Sequence, residues 1–160
     1  GHTYHPFSHN LWANLQLPEL CTPLSDEQLD STLDGTYGAI RATFQHIARA
    51  ERAYFSRVST GELHQWEGDG PVTLAEIEET LQISGEGFIE WAPKVKAEDV
   101  ITIDWDGEPR DVPKTILLTQ AINHATEHRS QIMTILTQLG IQPPELSGWE
   151  YFDEMGKHKG

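Results

Sequence analysis

Between Thr115 and Leu136 the chain has neither glycine nor proline. Across and just beyond this stretch Ile122, Ala125, Ile132, Met133, Leu136 and Leu139 recur every three or four residues. That spacing gathers apolar side chains on one side of an α-helix. The rest of the chain is organised around this helix. It also fixes the relation between two histidines: His124 and His128 lie four residues apart, so their rings stand one above the other at the edge of the apolar stripe. Two imidazoles so placed can converge on one small object, most commonly a divalent metal. Boundary histidines with hydrogen-bonded, inert rings would give the same pattern. A third ligand from elsewhere in the chain separates the two readings.

The preceding segments supply packing partners. Leu11, Trp12 and Leu15 give a first helix over His5 to Leu17, with Pro6 near its start and Pro18 ending it. Ser25 followed by Gln28 forms a capping box. It opens a second helix in two parts, Asp26 to Leu33 and about Thr36 to Val58, with Gly35 and Gly38 weakening the join. Leu29, Leu33, Tyr37, Ile40, Phe44, Ile47, Tyr54 and Val58 form its core stripe. Glu62 to Pro71 reads as a surface loop. Thr73 and Glu76 cap a third helix that turns Leu74, Ile77, Leu81, Phe88 and Trp91 inward. Gly85 and Gly87 in its middle mark a close helix approach, a bend or tolerated sites.

From Val100 to Pro113 the period changes to two. Ile101, Ile103 and Trp105 alternate with polar residues, and Asp106-Gly107 is a turn signal. After Gly140 come Pro143-Pro144 and an irregular tail, frayed over residues 153–160. Trp149, Tyr151 and Phe152 are expected to lie across the bundle or on a partner surface. Four amphipathic helices bury their stripes economically in an all-α four-helix bundle, here one domain over residues 1–160 with a short β-hairpin or extended excursion before the last helix. Gly1 and His2 read as a tag remnant, and His2 is not counted as a ligand.

Eleven basic against 25 acidic residues leave a net charge of −14. No basic patch is visible for nucleic-acid phosphates or an anionic membrane. The absence of an apolar leader, of a spanning segment and of any cysteine but Cys21 leads to an expected cytoplasmic address without disulfides. Cys21, in a proline-flanked connection with no cationic neighbours in sequence, reads as a small apolar filler.

His46 is the candidate third ligand. It lies off the stripe of Ile40, Phe44 and Ile47, with Ala39, Ala42, Ala50 and Ala53 around it. Small residues let a facing helix approach or leave room for a substrate. His46, His124 and His128 would then hold a metal with open coordination positions, as catalytic rather than structural sites do. His5, His9 and His64 are weaker candidates. Glu127 projects away from the histidine pair. Glu51 either supports the site from behind or partners an arginine or lysine.

Several segments resemble the DinB/YfiT superfamily: Asn10-Leu11-Trp12-Ala13-Asn14, Ser25-Asp26-Glu27-Gln28-Leu29, Phe44-Gln45-His46-Ile47, Asp106-Gly107, Val112-Pro113, Asn123 through Ile132, and Leu139-Gly140. The likeness covers nearly the whole chain in order. It implies a four-helix bundle with the family's own topology, a divalent metal (often nickel or zinc) on His46, His124 and His128, and frequent homodimers. It also implies enzymes that use small thiols such as bacillithiol or mycothiol, or that hydrolyse. The expected function is metal-dependent chemistry on a small molecule, foremost S-transfer from a low-molecular-weight thiol. Hydrolysis by metal-activated water and a non-enzymatic metal- or ligand-binding bundle are the alternatives. Catalytic side chains beyond the ligands are not assigned.

Overall fold

The computed structural model describes residues 5–157, apart from 65, 67, 69 and 71. Its first helix, α1 (Pro6–Cys21), starts where His5 Nδ1 accepts the Phe7 N–H and Pro6 fills the first turn. Pro18 does not end it as expected. The helix continues one more turn because Leu17, Pro18 and Cys21 are all buried there, and their packing offsets the backbone bond that proline forfeits. The capping box at Ser25 opens only one turn, α2 (Asp26–Leu29). The expected continuation to Leu33 is replaced by a loop with Gly35 at φ +86°, and α3 (Ile40–Thr60) starts later than expected. Tyr37 therefore leaves the core stripe. The Thr73–Glu76 box opens α4 (Leu74–Trp91) as the sequence indicates.

A short 3-10 turn, Ala92–Lys94, leads to the hairpin β1 (Val100–Trp105) and β2 (Glu108–Pro113). The strands are antiparallel, with Ile101 opposite Val112 and Ile103 opposite Arg110. Asp106 and Gly107 both have positive φ, as a two-residue hairpin turn with the strands' own twist requires. Helix α5 (Lys114–Gln138) follows directly. Beyond Pro144 the expected irregular tail is instead helical from Gly148 to Lys157 (α6). Tyr151 is buried against Trp12 and His9, and Trp12 Nε1 donates to Glu154 Oε2. Residues 158–160 of the expected frayed tail, and Gly1 and His2, lie outside the described residues. No helix among the described residues is long and apolar enough to cross a membrane.

Helices α1, α3, α4 and α5 make the all-α bundle, in which α1 and α3 each pack against α4 and α5. One apolar cluster holds Leu17, Phe44, Ile77 and Leu136, and a second holds Phe7, Val58, Phe88 and Leu117. α1 and α5 thus run in one direction between the clusters, and α3 and α4 in the other. Because α3 and α4 are parallel, the chain between them must run back along the bundle. Arg49 Nη2 and Gln45 Nε2 of α3 hold that return segment by the carbonyls of Gly68 and Gly70. The hairpin bridges α4 and α5, and its Ile101 and Ile103 complete the second cluster.

Candidate metal centre

α3 and α5 lie side by side, and His46 of α3 stands opposite the histidine pair of α5. His46 Nε2 and His124 Nε2 are 3.0 Å apart. Ring centroids lie 4.7 Å apart for His46–His124 and for His46–His128, and 4.4 Å for His124–His128. One ligand atom from each ring falls within 4.8 Å of the others. Two nitrogens that share one metal at about 2.1 Å with near-tetrahedral or right angles stand roughly 3.0–3.4 Å apart, so the His46–His124 pair already has a suitable separation.

The surroundings favour the neutral form of His124 and His46. Burial, then the neighbouring His128 and His46, lowers the His124 pKa to about 4. Burial and then His128 shift His46 in the same direction. Neutral imidazole is the ligand form. The donor set of three imidazoles suits a divalent metal ion.

Aromatic side chains wall the cluster. The Tyr37 ring stacks on His46 at 4.1 Å and 10°, and meets His128 edge-on at 5.3 Å. Tyr54 meets His124 edge-on at 6.0 Å. Tyr37 is 52% exposed, so it faces solvent beside the cluster instead of lying in the core as the stripe suggests. Gln131 Oε1 reaches His128 Nδ1 at 2.8 Å and accepts the Tyr37 backbone N–H at 3.3 Å. Neither role was legible in the sequence, although Gln131 stands three residues after His128, a spacing at which helical side chains meet.

The remaining candidates stay apart from the cluster. His5 caps α1, and His9 Nε2 contacts the Leu146 carbonyl. Glu127 is exposed. Cys21 is fully buried, which pushes its thiol up to about 12 and fits the filler role.

Glu51 supports no histidine. It turns into the bundle, where Asn10 and Asn14 both donate to its Oε1 and Ser84 Oγ donates to Oε2. The same two asparagines accept from Arg129 Nη1. Partnership with an arginine, the other expectation for Glu51, is therefore the one realised, through two bridging amides. The motif Asn10 to Asn14 supplies those bridges.

A family model described as the DinB family matches residues 1–156. No curated protein matches the chain.

Proposed function

The chain belongs to the DinB family, and from that premise we propose that it is a divalent-metal-dependent enzyme acting on a small molecule by thiol S-transfer. The observation that carries this reading is the convergence of His46, His124 and His128 across the α3–α5 interface. These three would hold nickel or zinc, and a cation there would favour thiolate over thiol at neutral pH. The three imidazoles leave room for further ligands, which structural zinc sites rarely do. Tyr37 and Tyr54 limit water on two sides of the cluster and offer ring faces and edges to an apolar substrate body. In the reaction the thiol gives up its proton to solvent water, its sulfur forms a bond to an electrophilic carbon, and the leaving group departs from that carbon with the electron pair of the broken bond.

Elemental analysis of untagged full-length protein tests the site. About one metal per chain is expected, lost in His46→Ala and in His128→Ala. Cobalt substitution then tests the chemistry. A small thiol should add an intense sulfur-to-cobalt charge-transfer band in the near ultraviolet. A cobalt spectrum that thiols leave unchanged would turn the reading towards hydrolysis, and no metal uptake from zinc or nickel would overturn it.

A further inference from the structure

Gln131 receives two groups at one oxygen, and together they determine which nitrogen of His128 carries a proton. The Tyr37 backbone N–H can only donate, so the atom of the Gln131 amide that meets it at 3.3 Å must be the oxygen. The same oxygen lies 2.8 Å from His128 Nδ1. An oxygen acceptor requires that Nδ1 bear the hydrogen. A neutral His128 then keeps its lone pair on Nε2, the nitrogen not engaged by Gln131. His46 and His124 also face one another through Nε2. One backbone N–H in the α2–α3 loop thereby orients an amide, and the amide selects the tautomer of a ring on α5.

The tie also runs the other way. Tyr37 stands in a loop between Gly35 and Gly38, and its ring covers one face of His46. The bond from its N–H to Gln131 and the edge contact of its ring with His128 both tie that loop to α5. Ligand orientation and the aromatic wall over the cluster thus share one hinge point.

We propose that Gln131 is the positioning residue of the three-histidine cluster: it fixes His128 as the Nδ1–H tautomer with Nε2 available to a metal, and it seats Tyr37 over His46. The inference rests on the reading of the cluster as a metal centre, but its first test does not.

The test begins with a long-range proton–nitrogen spectrum of the imidazoles in the metal-free full-length chain. His128 is expected as Nδ1–H. Gln131→Met keeps the side-chain length and removes the acceptor. It should shift His128 towards the Nε2–H form and move the Tyr37 amide resonance. Gln131→Glu keeps an acceptor oxygen and should restore both. Zinc affinity, measured by competition with a chromophoric chelator, should fall roughly 10- to 100-fold in Gln131→Met and recover in Gln131→Glu, the scale typical of partners behind metal ligands. Circular dichroism checks that the variants stay folded. An Nε2–H His128 in the unaltered protein would overturn the inference whether or not metal binds. So would a Gln131→Met variant with unchanged tautomer and Tyr37 amide. The expected tautomer shifts in a chain that takes up no metal would support the Gln131 role and sink the metal reading instead.

Discussion

His124 sits half-buried beside two other imidazoles, and both circumstances oppose its protonation. Its pKa falls to about 4 in the folded chain, against an ordinary histidine value near 6.5. Between those values the unfolded chain binds more protons than the folded one. The metal-free fold is therefore expected to lose stability as pH falls through about 6.5 towards 4, and to lose no more from this residue below that. Urea melts of metal-free protein across this range should show the decline, and His124→Asn should flatten it. An unchanged slope in that variant would show that His124 is not the group responsible. The three histidines were legible in the sequence because i,i+4 spacing and a run of alanines are local patterns. Tyr37 and Gln131 were not. Tyr37 matched the helical stripe of α3 until a glycine-bounded loop removed it, and the role of Gln131 depends on a backbone N–H 94 residues away.

Element boundaries were read correctly where local chemistry marks them, as at the Thr73–Glu76 box that opens α4 and the Asp106-Gly107 turn of the hairpin. They were misread where burial decides. Pro18 stays helical because buried neighbours hold it, and α6 forms because Tyr151 and Glu154 find partners on α1. The two glycines inside α4 are now explained as sites of close approach. A Cβ built on Gly85 would lie 2.6 Å from Leu11 Cδ1 and 3.1 Å from Leu11 Cβ, and one on Gly87 would run into the Phe55 ring. Alanine improves an exposed helix interior by up to about 1 kcal/mol. Overpacking a filled contact costs typically about 1–3 kcal/mol. Because Leu11 Cβ cannot swing away as a side-chain tip can, Gly85→Ala is expected to destabilise by about 1–2 kcal/mol in urea denaturation, the strain outweighing the propensity gain. A higher urea midpoint would mean that α1 and α4 can separate at no cost.

At the scale of the whole molecule, a polar layer lies between the two apolar clusters. Glu51 and Arg129 are both almost fully buried, at 2% and 4% exposure. They are joined through Asn10 and Asn14, and Ser84 completes the layer. The layer links α1 to α3 across the bundle diagonal and takes in α4 and α5. No hydrophobic pattern could reveal it, since its members come one or two to a helix and the running directions of the helices were not readable from periodicity. Burial raises the Glu51 carboxyl pKa against the pull of Ser84, Asn10, Arg129 and Asn14. Burial likewise lowers the Arg129 guanidinium to about 10, with Glu51 opposing. Each charge therefore favours the ionised form of the other inside the bundle. Removing one leaves the other buried without its counter-charge, which costs about 3–5 kcal/mol in comparable pairs. Glu51→Met and Arg129→Met should each destabilise on that scale. The double variant should cost at least about 1 kcal/mol less than their sum, because no stranded charge remains even though the two amides do. A double-mutant cycle in urea makes the comparison. Strict additivity would mean that the asparagines screen the charges from one another and that the layer acts as two separate hydrogen-bonded sites. Coupling would make the layer one electrostatic unit, joining Glu51 of α3 to Arg129 of α5 through the asparagines of α1.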